Sequence, residues 1–321
     1  MQMPDRMKPR NVTHLLEDRS VLDSWARRAG IDNSGNAERI LKKLAEQGVS
    51  LHALGTLIKS LEQLLPLFGD ADRLLVTLGR FLQVVPGPSA AVAIFEEDPE
   101  ALEQLLEILA TSPFLGEIII ADPDVWESIR RGGGRPEKRE SLRDVLRSEV
   151  GDSLDSSFVM HKLRHFKRRE ILRVAYGDIV KQQRLETVVD QISAIAECVI
   201  DEALRVVYLQ QQQRRGSPLT TDGHPATIAV LALGKLGGNE LNYSSDVDLI
   251  FCYSEDGDVA GSKTCTTGEF FTRVVQEVTR MLTDQTELGA AYRVDLRLRP
   301  HGGQGPLVLP RAALQRYYDR Q

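Results

Sequence analysis

Two aspartates separated by one residue form the part of this sequence best suited to chemistry. Asp246 and Asp248 are followed directly by the apolar run Leu-Ile-Phe. On a β-strand, residues two apart point to the same face, which places these carboxylates together, about 6.6 Å apart along the strand. Hard carboxylate oxygens in this arrangement suit Mg²⁺. The alternative is a polar strand edge with two solvated acids. The apolar run that follows argues against it, because it would anchor the strand in a core.

A glycine-rich turn precedes the two aspartates. An apolar strand is predicted to end at Gly234, and Gly237 and Gly238 open a turn before the strand that carries the acids. Glycines allow a phosphate to approach backbone N–H groups because no Cβ stands in the way. The Gly-Gly turn eight residues before the Asp-X-Asp pattern is a much more specific signal than Asp-X-Asp alone.

A third acid lies among arginines in residues 292–300. Strict alternation over 292–298 predicts a strand. One face of it would carry Val294, Leu296 and Leu298, and the other would carry Arg293, Asp295, Arg297 and Arg299. Phosphoryl chemistry commonly uses two metal ions about 3.5–4 Å apart, held by acids. We therefore expect Asp246, Asp248 and Asp295 to hold two Mg²⁺ ions, and from strand parity we expect Arg297 or Arg299 to bind a phosphate.

The surrounding pattern predicts an α+β protein, with a mainly helical N-terminal region followed by a small mixed-sheet core. Apolar residues recur every three or four positions from about residue 36 to 209, with proline and glycine between the stretches. After residue 226 the pattern changes to short strands at 226–233 and 246–253 and an amphipathic helix at 266–283. Thr266 and Glu269 have capping-box spacing at the start of that helix.

We expect three segments: a helical region at 1–213, a linker at 214–225 and a small mixed-sheet core at 226–321. The polar stretch at 210–225 predicts an exposed hinge. The sequence stops inside a predicted helix, so the core is expected to be incomplete at its C-terminal side.

Composition narrows the class of protein. The 321 residues include 40 Lys and Arg against 46 Asp and Glu, a net charge of −6, with 42% apolar residues. These values are typical of globular domains and exclude a disordered or collagen-like chain. The absence of a long apolar run or signal-peptide pattern, together with only three cysteines, predicts a cytoplasmic protein without a membrane segment. The acidic balance argues against general nucleic-acid binding.

A basic run at 162–169 allows two interpretations. It could bind nucleic acid or a nucleotide phosphate, but we favour a solvated helix face. His161 and His165 have spacing suited to a shared metal, yet no acid completes a zinc motif, so a surface pair is favoured. Gly132–Gly134 is expected to be a flexible loop.

Residues 234–241 and 245–251 together resemble the nucleotidyltransferase superfamily. More narrowly, they are similar to the bifunctional glutamine synthetase adenylyltransferase/adenylyl-removing enzymes. Residues 163–174, 112–115, 122–123 and 293–300 also resemble segments of that family. The resemblance extends from about residue 101 onward.

This resemblance implies a function. The first half of such enzymes removes AMP from a tyrosine of glutamine synthetase by phosphorolysis, giving ADP, and the second half attaches AMP from ATP. Asp246, Asp248 and Asp295 would bind metal, and Gly237, Gly238 and Ser245 would contact phosphates. A PII-type signalling protein would be a partner through the parent enzyme. In the family, further segments extend the core. Without them the sheet would be partly uncovered, so we expect this chain to catalyse poorly or not at all.

Two other functions stay open. One is nucleotidyl transfer to RNA or to a small-molecule hydroxyl, although the core offers only the arginines of 293–299 for RNA. The other is a non-catalytic fragment that docks on a partner through its helices.

Overall fold

The computed structural model describes residues 9–260 and 265–320. Two compact units divide the described chain. One comprises 9–135 and 175–182, and the other comprises 136–174 and 183–320. This division differs from the one expected at 213 and 226, which stays a prediction.

The first unit is helical throughout. Its helices are α1 (Pro9–Glu17), α2 (Arg19–Arg28), α3 (Ser34–Glu46), α4 (Leu51–Leu64), α5 (Ala71–Val84), α6 (Pro88–Glu97), α7 (Pro99–Thr111), α8 (Pro113–Ala121) and α9 (Pro123–Gly132), with a 3-10 turn at Leu65–Leu67. Prolines that were expected to separate the helices do so by beginning α6, α8 and α9, where the missing N–H has no helical partner to lose. Gly133, with a positive φ of 70°, ends α9.

No single helix among the described residues is long and apolar enough to cross a membrane. Among the described residues, only α5 and α6 taken together have the length and composition of a membrane span, and the pair is bent by 120°.

The second unit contains three long helices and a small sheet. Its helices are α10 (Arg139–Val150), α11 (Ser156–Ile179), α12 (Leu185–Arg215), α13 (Gly234–Gly237), α14 (Thr267–Thr283) and α15 (Arg311–Tyr318), with a 3-10 turn at Gly302–Gln304. Its strands are β1 (Ile228–Leu233), β2 (Val247–Tyr253), β3 (Val294–Asp295) and β4 (Val308–Pro310). The part of α11 after Val174 belongs to the first unit. The predicted α+β class is confirmed.

The sheet is mixed and is centred on β2. β1 pairs with it antiparallel from Ile228↔Tyr253 to Leu233↔Asp248. β3 and β4 both pair with β2 in parallel, β3 at its start and β4 at its end. The predicted capping box at the start of α14 is present, and α14 packs an aromatic ring, Phe271, 5.3 Å from that of Tyr253.

The expectation of an exposed hinge at 210–225 is wrong at its first residues. α12 runs on to Arg215, and Gln210 and Gln211 are buried. The Gln210 side chain donates to the Leu154 carbonyl at 2.9 Å. Polar composition suggested a linker, but glutamine amides are readily buried when they find hydrogen-bond partners.

Candidate functional site

Two of the three predicted acids are neighbours in the sheet. Asp248 of β2 and Asp295 of β3 are in register on parallel strands. Adjacent strands lie about 4.8 Å apart, and residues in register point to the same face, so these carboxylates project side by side. Asp246 lies two residues before Asp248, just ahead of the first residue of β2. We call Asp246, Asp248 and Asp295 the acid edge.

Gly234 brings the turn after β1 against the acid edge. Its φ is +54°, and a Cβ at this position would lie 2.5 Å from Asp248 Oδ2. Only glycine combines this backbone conformation with so close an approach. In the sequence, Gly234 indicated only the end of a strand, and its contact with the site was missed.

Gly237, Gly238 and Ser245, which are predicted to contact phosphate, make contacts within the segment between β1 and β2. A Cβ on Gly237 would lie 2.5 Å from the Ala232 carbonyl oxygen, so this glycine permits close packing. The Gly238 N–H donates to Gly234 O at 3.1 Å. Ser245 Oγ donates to Asn242 Oδ1. The phosphate-binding role of these three residues stays a prediction.

Arginines neutralise part of the acid edge. Arg293 Nε donates to Asp246 Oδ1, and Arg297 binds Asp295 through Nε at 2.9 Å and Nη2 at 2.6 Å. Hydrogen bonds from the Arg297 side chain and backbone lower the pKa of Asp295. The Asp295 hydrogen bond raises the pKa of Arg297, and the charges of Asp248 and Asp246 add to this effect. All three acids therefore act on one guanidinium.

The predicted strand over 292–298 is wrong except at Val294 and Asp295, which form β3. The Asp295 carboxylate accepts a hydrogen bond from Arg297 N at 2.8 Å, which turns the chain away from the sheet. Arg299 donates to the carbonyls of Leu296 at 2.6 Å, Gly303 at 3.0 Å and Gly305 at 3.1 Å. Strand parity therefore does not place Arg297 and Arg299 on one face, and Arg299 stabilises a loop.

The acid edge has suitable donors for a hard cation, but its carboxylates point at arginines. Within 9–260 and 265–320, no group of three or more His, Cys, Asp or Glu side chains is arranged to hold a metal ion. The guanidinium groups of Arg293 and Arg297 supply positive charge beside Asp246 and Asp295. The donor chemistry thus fits Mg²⁺, provided that the arginines give way.

Part of the basic run on α11 points inward. Arg164 is only 1% exposed and donates to Gly289 O at 2.7 Å and Met281 O at 3.1 Å. Lys167 Nζ donates to Ala291 O and lies 4.0 Å from the centre of the Tyr292 ring. Arg168 reaches Leu288 O at 3.5 Å. We call Arg164, Lys167 and Arg168 the basic clamp.

The interpretation of the whole basic run as a solvated face is therefore wrong. Arg164, Lys167 and Arg168 are three and four residues apart, a spacing that places them on one side of a helix. The signal available in the sequence was this i, i+3, i+4 pattern of cations on one helix.

The fold and site define a class of α+β protein in which a small mixed sheet presents paired carboxylates and arginines at one edge. The model of the glutamate-ammonia ligase adenylyltransferase family matches residues 102–321, so the chain belongs to this family. It is 36% identical over 219 residues to the bifunctional glutamine synthetase adenylyltransferase/adenylyl-removing enzyme of Thioalkalivibrio sulfidiphilus (strain HL-EbGR7). That match covers 68% of this chain and 23% of the relative, so the chain spans about a quarter of the relative's length.

Proposed function

We propose that this chain contributes a nucleotidyltransferase centre that removes AMP from a tyrosine of glutamine synthetase. The observation that carries the proposal is the in-register pair Asp248 and Asp295, with Asp246 two residues before Asp248 at the start of the same strand. Family membership and the printed name of the relative support glutamine synthetase as the substrate.

Positioning and electrostatics carry most of the catalysis in phosphoryl transfer. Asp246, Asp248 and Asp295 would hold two Mg²⁺ ions, which supply neutralisation of the charge on the reacting phosphoryl group. Arg297 has an exposed side chain and already lies at the acid edge, so we assign to it the binding of the incoming phosphate. Arg299 shapes the following loop, and Ser245 and the Gly237–Gly238 turn would face the nucleotide phosphates.

In the proposed removal reaction, an oxygen of inorganic phosphate attacks the phosphorus of the tyrosine-linked AMP. A new P–O bond gives ADP, and the bond to the tyrosine oxygen breaks. The phenolate leaves with the bonding electrons and then takes a proton from water. Because a phenol has a pKa of about 10, it leaves without a strong general acid.

The wider setting is also a proposal. In the parent protein we expect a second catalytic half that attaches AMP from ATP, control by a PII-type signalling protein and a cytoplasmic location. These expectations rest on the family resemblance.

The test uses adenylylated glutamine synthetase, this chain in excess, Mg²⁺ and inorganic phosphate. Mass spectrometry of the tyrosyl peptide should show loss of AMP, with matching formation of ADP and none when phosphate is omitted. Calorimetry should show binding of ADP with Mg²⁺ even if turnover is slow. AMP loss that does not need phosphate, or a chain that neither releases AMP nor binds ADP, would contradict the proposal.

A further inference from the structure

β3 is too short to fix its own register. It contributes only Val294 and Asp295 to the sheet, so its pairing with β2 involves two residues. Register is weakly specified when few pairs define it, and a slip of one residue would turn Asp295 to the opposite face. Something outside the strand must therefore hold Asp295 beside Asp248.

The segment that leads into β3 is held from two sides. The N–H groups of Ala291 and Tyr292 both donate to the carbonyl of Leu282 in α14, at 2.9 and 3.0 Å. From α11, the basic clamp binds the carbonyls of Leu288, Gly289 and Ala291. The approach to β3 is thus fixed largely through hydrogen bonds to its backbone.

The next residues connect this segment directly to the acids. Arg293 O accepts a hydrogen bond from Val247 N at 3.0 Å, and the Arg293 side chain binds Asp246. Only three residues separate Ala291, which Lys167 holds, from Asp295. A shift of the Ala291 carbonyl would therefore move the backbone of Asp295.

We propose that Lys167, supported by Arg168, is a positioning residue for the acid edge, because its hold on the Ala291 carbonyl sets where the chain enters β3. The catalytic consequence rests on the proposed function. A cationic donor suits this place because a partly enclosed carbonyl left without a partner is costly, and the ammonium also packs on the Tyr292 ring. Arg164 caps the end of α14 as well, so its loss would disturb the fold more widely.

The experiment compares Lys167→Met with Lys162→Met in the full chain. Lys162 lies on the same helix and packs on Phe158 at 5.5 Å, with no bond to the segment before β3 among the described contacts. Hydrogen exchange of the Ala291, Tyr292 and Val247 amides should accelerate about tenfold in Lys167→Met. Amides of β1 should be unchanged, and Lys162→Met should match the wild type.

Kinetics provide the second measurement. For AMP removal, Lys167→Met should lower kcat by roughly tenfold to a hundredfold, the loss expected for a misplacement of about 1 Å, and leave KM for adenylylated glutamine synthetase within about twofold. Lys167→Arg, which keeps a cationic donor, should restore most of kcat. A purely structural role of Lys167 would lower the active fraction of both Lys167→Met and Lys167→Arg, without this rescue.

The outcomes separate the two proposals. If the wild-type chain neither removes AMP nor binds ADP, the proposed function fails, while local exchange still decides the role of Lys167. Unchanged exchange at Ala291 and Tyr292 in Lys167→Met, or equal effects in Lys162→Met, would overturn the positioning role. If Lys167→Met does not fold, Arg168→Gln applies the same criteria through the weaker bond to Leu288.

Discussion

The acid edge and the basic clamp both place cationic side chains against the chain around β3, but under opposite conditions. At the acid edge, Arg293 and Arg297 have side chains that are 76% and 81% exposed and that bind carboxylates. In the clamp, Arg164 is 1% exposed and binds carbonyls. Exposed ion pairs contribute little to stability, whereas a buried polar group that loses its partner is costly. The acid edge can therefore exchange its cations for ligands, while the clamp holds its position.

The largest expected effect is on activity at the acid edge. Asp248→Asn should lower AMP removal by at least about a hundredfold, because it removes a charge that would hold the metal at the reacting phosphoryl group. The melting temperature should change little, since the acid edge is predicted to contribute little to stability. Asp222→Asn, in an exposed turn of the same unit, is the matched control. A large drop in melting temperature would show that the acid edge is structural and would break the comparison.

The next effect tests the packing of Gly234 against the acid edge. Gly234→Ala should lower the free energy of unfolding by about 1–3 kcal/mol, through strain at positive φ and contact with the Asp248 carboxylate. Gly223→Ala is the control, because Gly223 also has a positive φ, of 78°, but has no atom within 4 Å of an added Cβ. The difference between the two variants isolates the contact with Asp248. Equal losses in chemical denaturation would mean that the approach to Asp248 is not tight.

Local patterns predicted those elements whose causes are local. The strands β1 and β2, the capping box of α14 and the proline-marked breaks between helices all follow from residues close together in sequence. The pairing of Asp248 with Asp295 required a tertiary fold, but the Asp-X-Asp spacing and the arginine-rich segment indicated which residues to consider.

The misses have a shared cause. The alternation at 292–298 is a valid strand pattern, but the side chain of Asp295 competes for the backbone of Arg297 and ends the strand. The run on α11 has a charge pattern typical of a solvated face, yet its partners are carbonyls more than 100 residues away. A periodicity reports which residues share a face and does not report what that face meets.

A pH measurement tests the basic clamp without an activity assay. Burial, together with the nearby Arg164 charge, lowers the pKa of Lys167 from 10.5 to about 8. Between these values the unfolded chain binds more protons than the folded one, so the contribution of Lys167 to stability rises as the pH increases from about 8 towards 10.5. The free energy of unfolding of the wild type relative to Lys167→Met should therefore rise by about 1–2 kcal/mol between pH 7.5 and 9.5.

Taking the difference between the two proteins removes other titrations. Burial raises the pKa of Cys198 to about 11 and raises that of Tyr292, and these groups lower stability at high pH in both proteins. A difference that is flat or falls with pH would mean that Lys167 is solvated. In that case the clamp would resemble the acid edge.

The smallest expected effect concerns a single exposed pair at the acid edge. In Arg297→Gln, the pKa of Asp295 should rise, because the guanidinium hydrogen bonds and charge that lower it are lost. The rise is partial, since the backbone N–H of residue 297 still donates to Asp295. Carboxyl-detected NMR titration measures it, with Arg316→Gln, on the exposed side of α15, as the control. The difference in the pKa of Asp295 between the wild type and Arg297→Gln should shrink in high salt, because the arginine of the pair is open to solvent. An unchanged pKa in Arg297→Gln would mean that Arg297 does not bind the Asp295 carboxylate in solution. A pKa change of the same size at low and high salt would mean that this pair is shielded from solvent, like the contacts of the basic clamp.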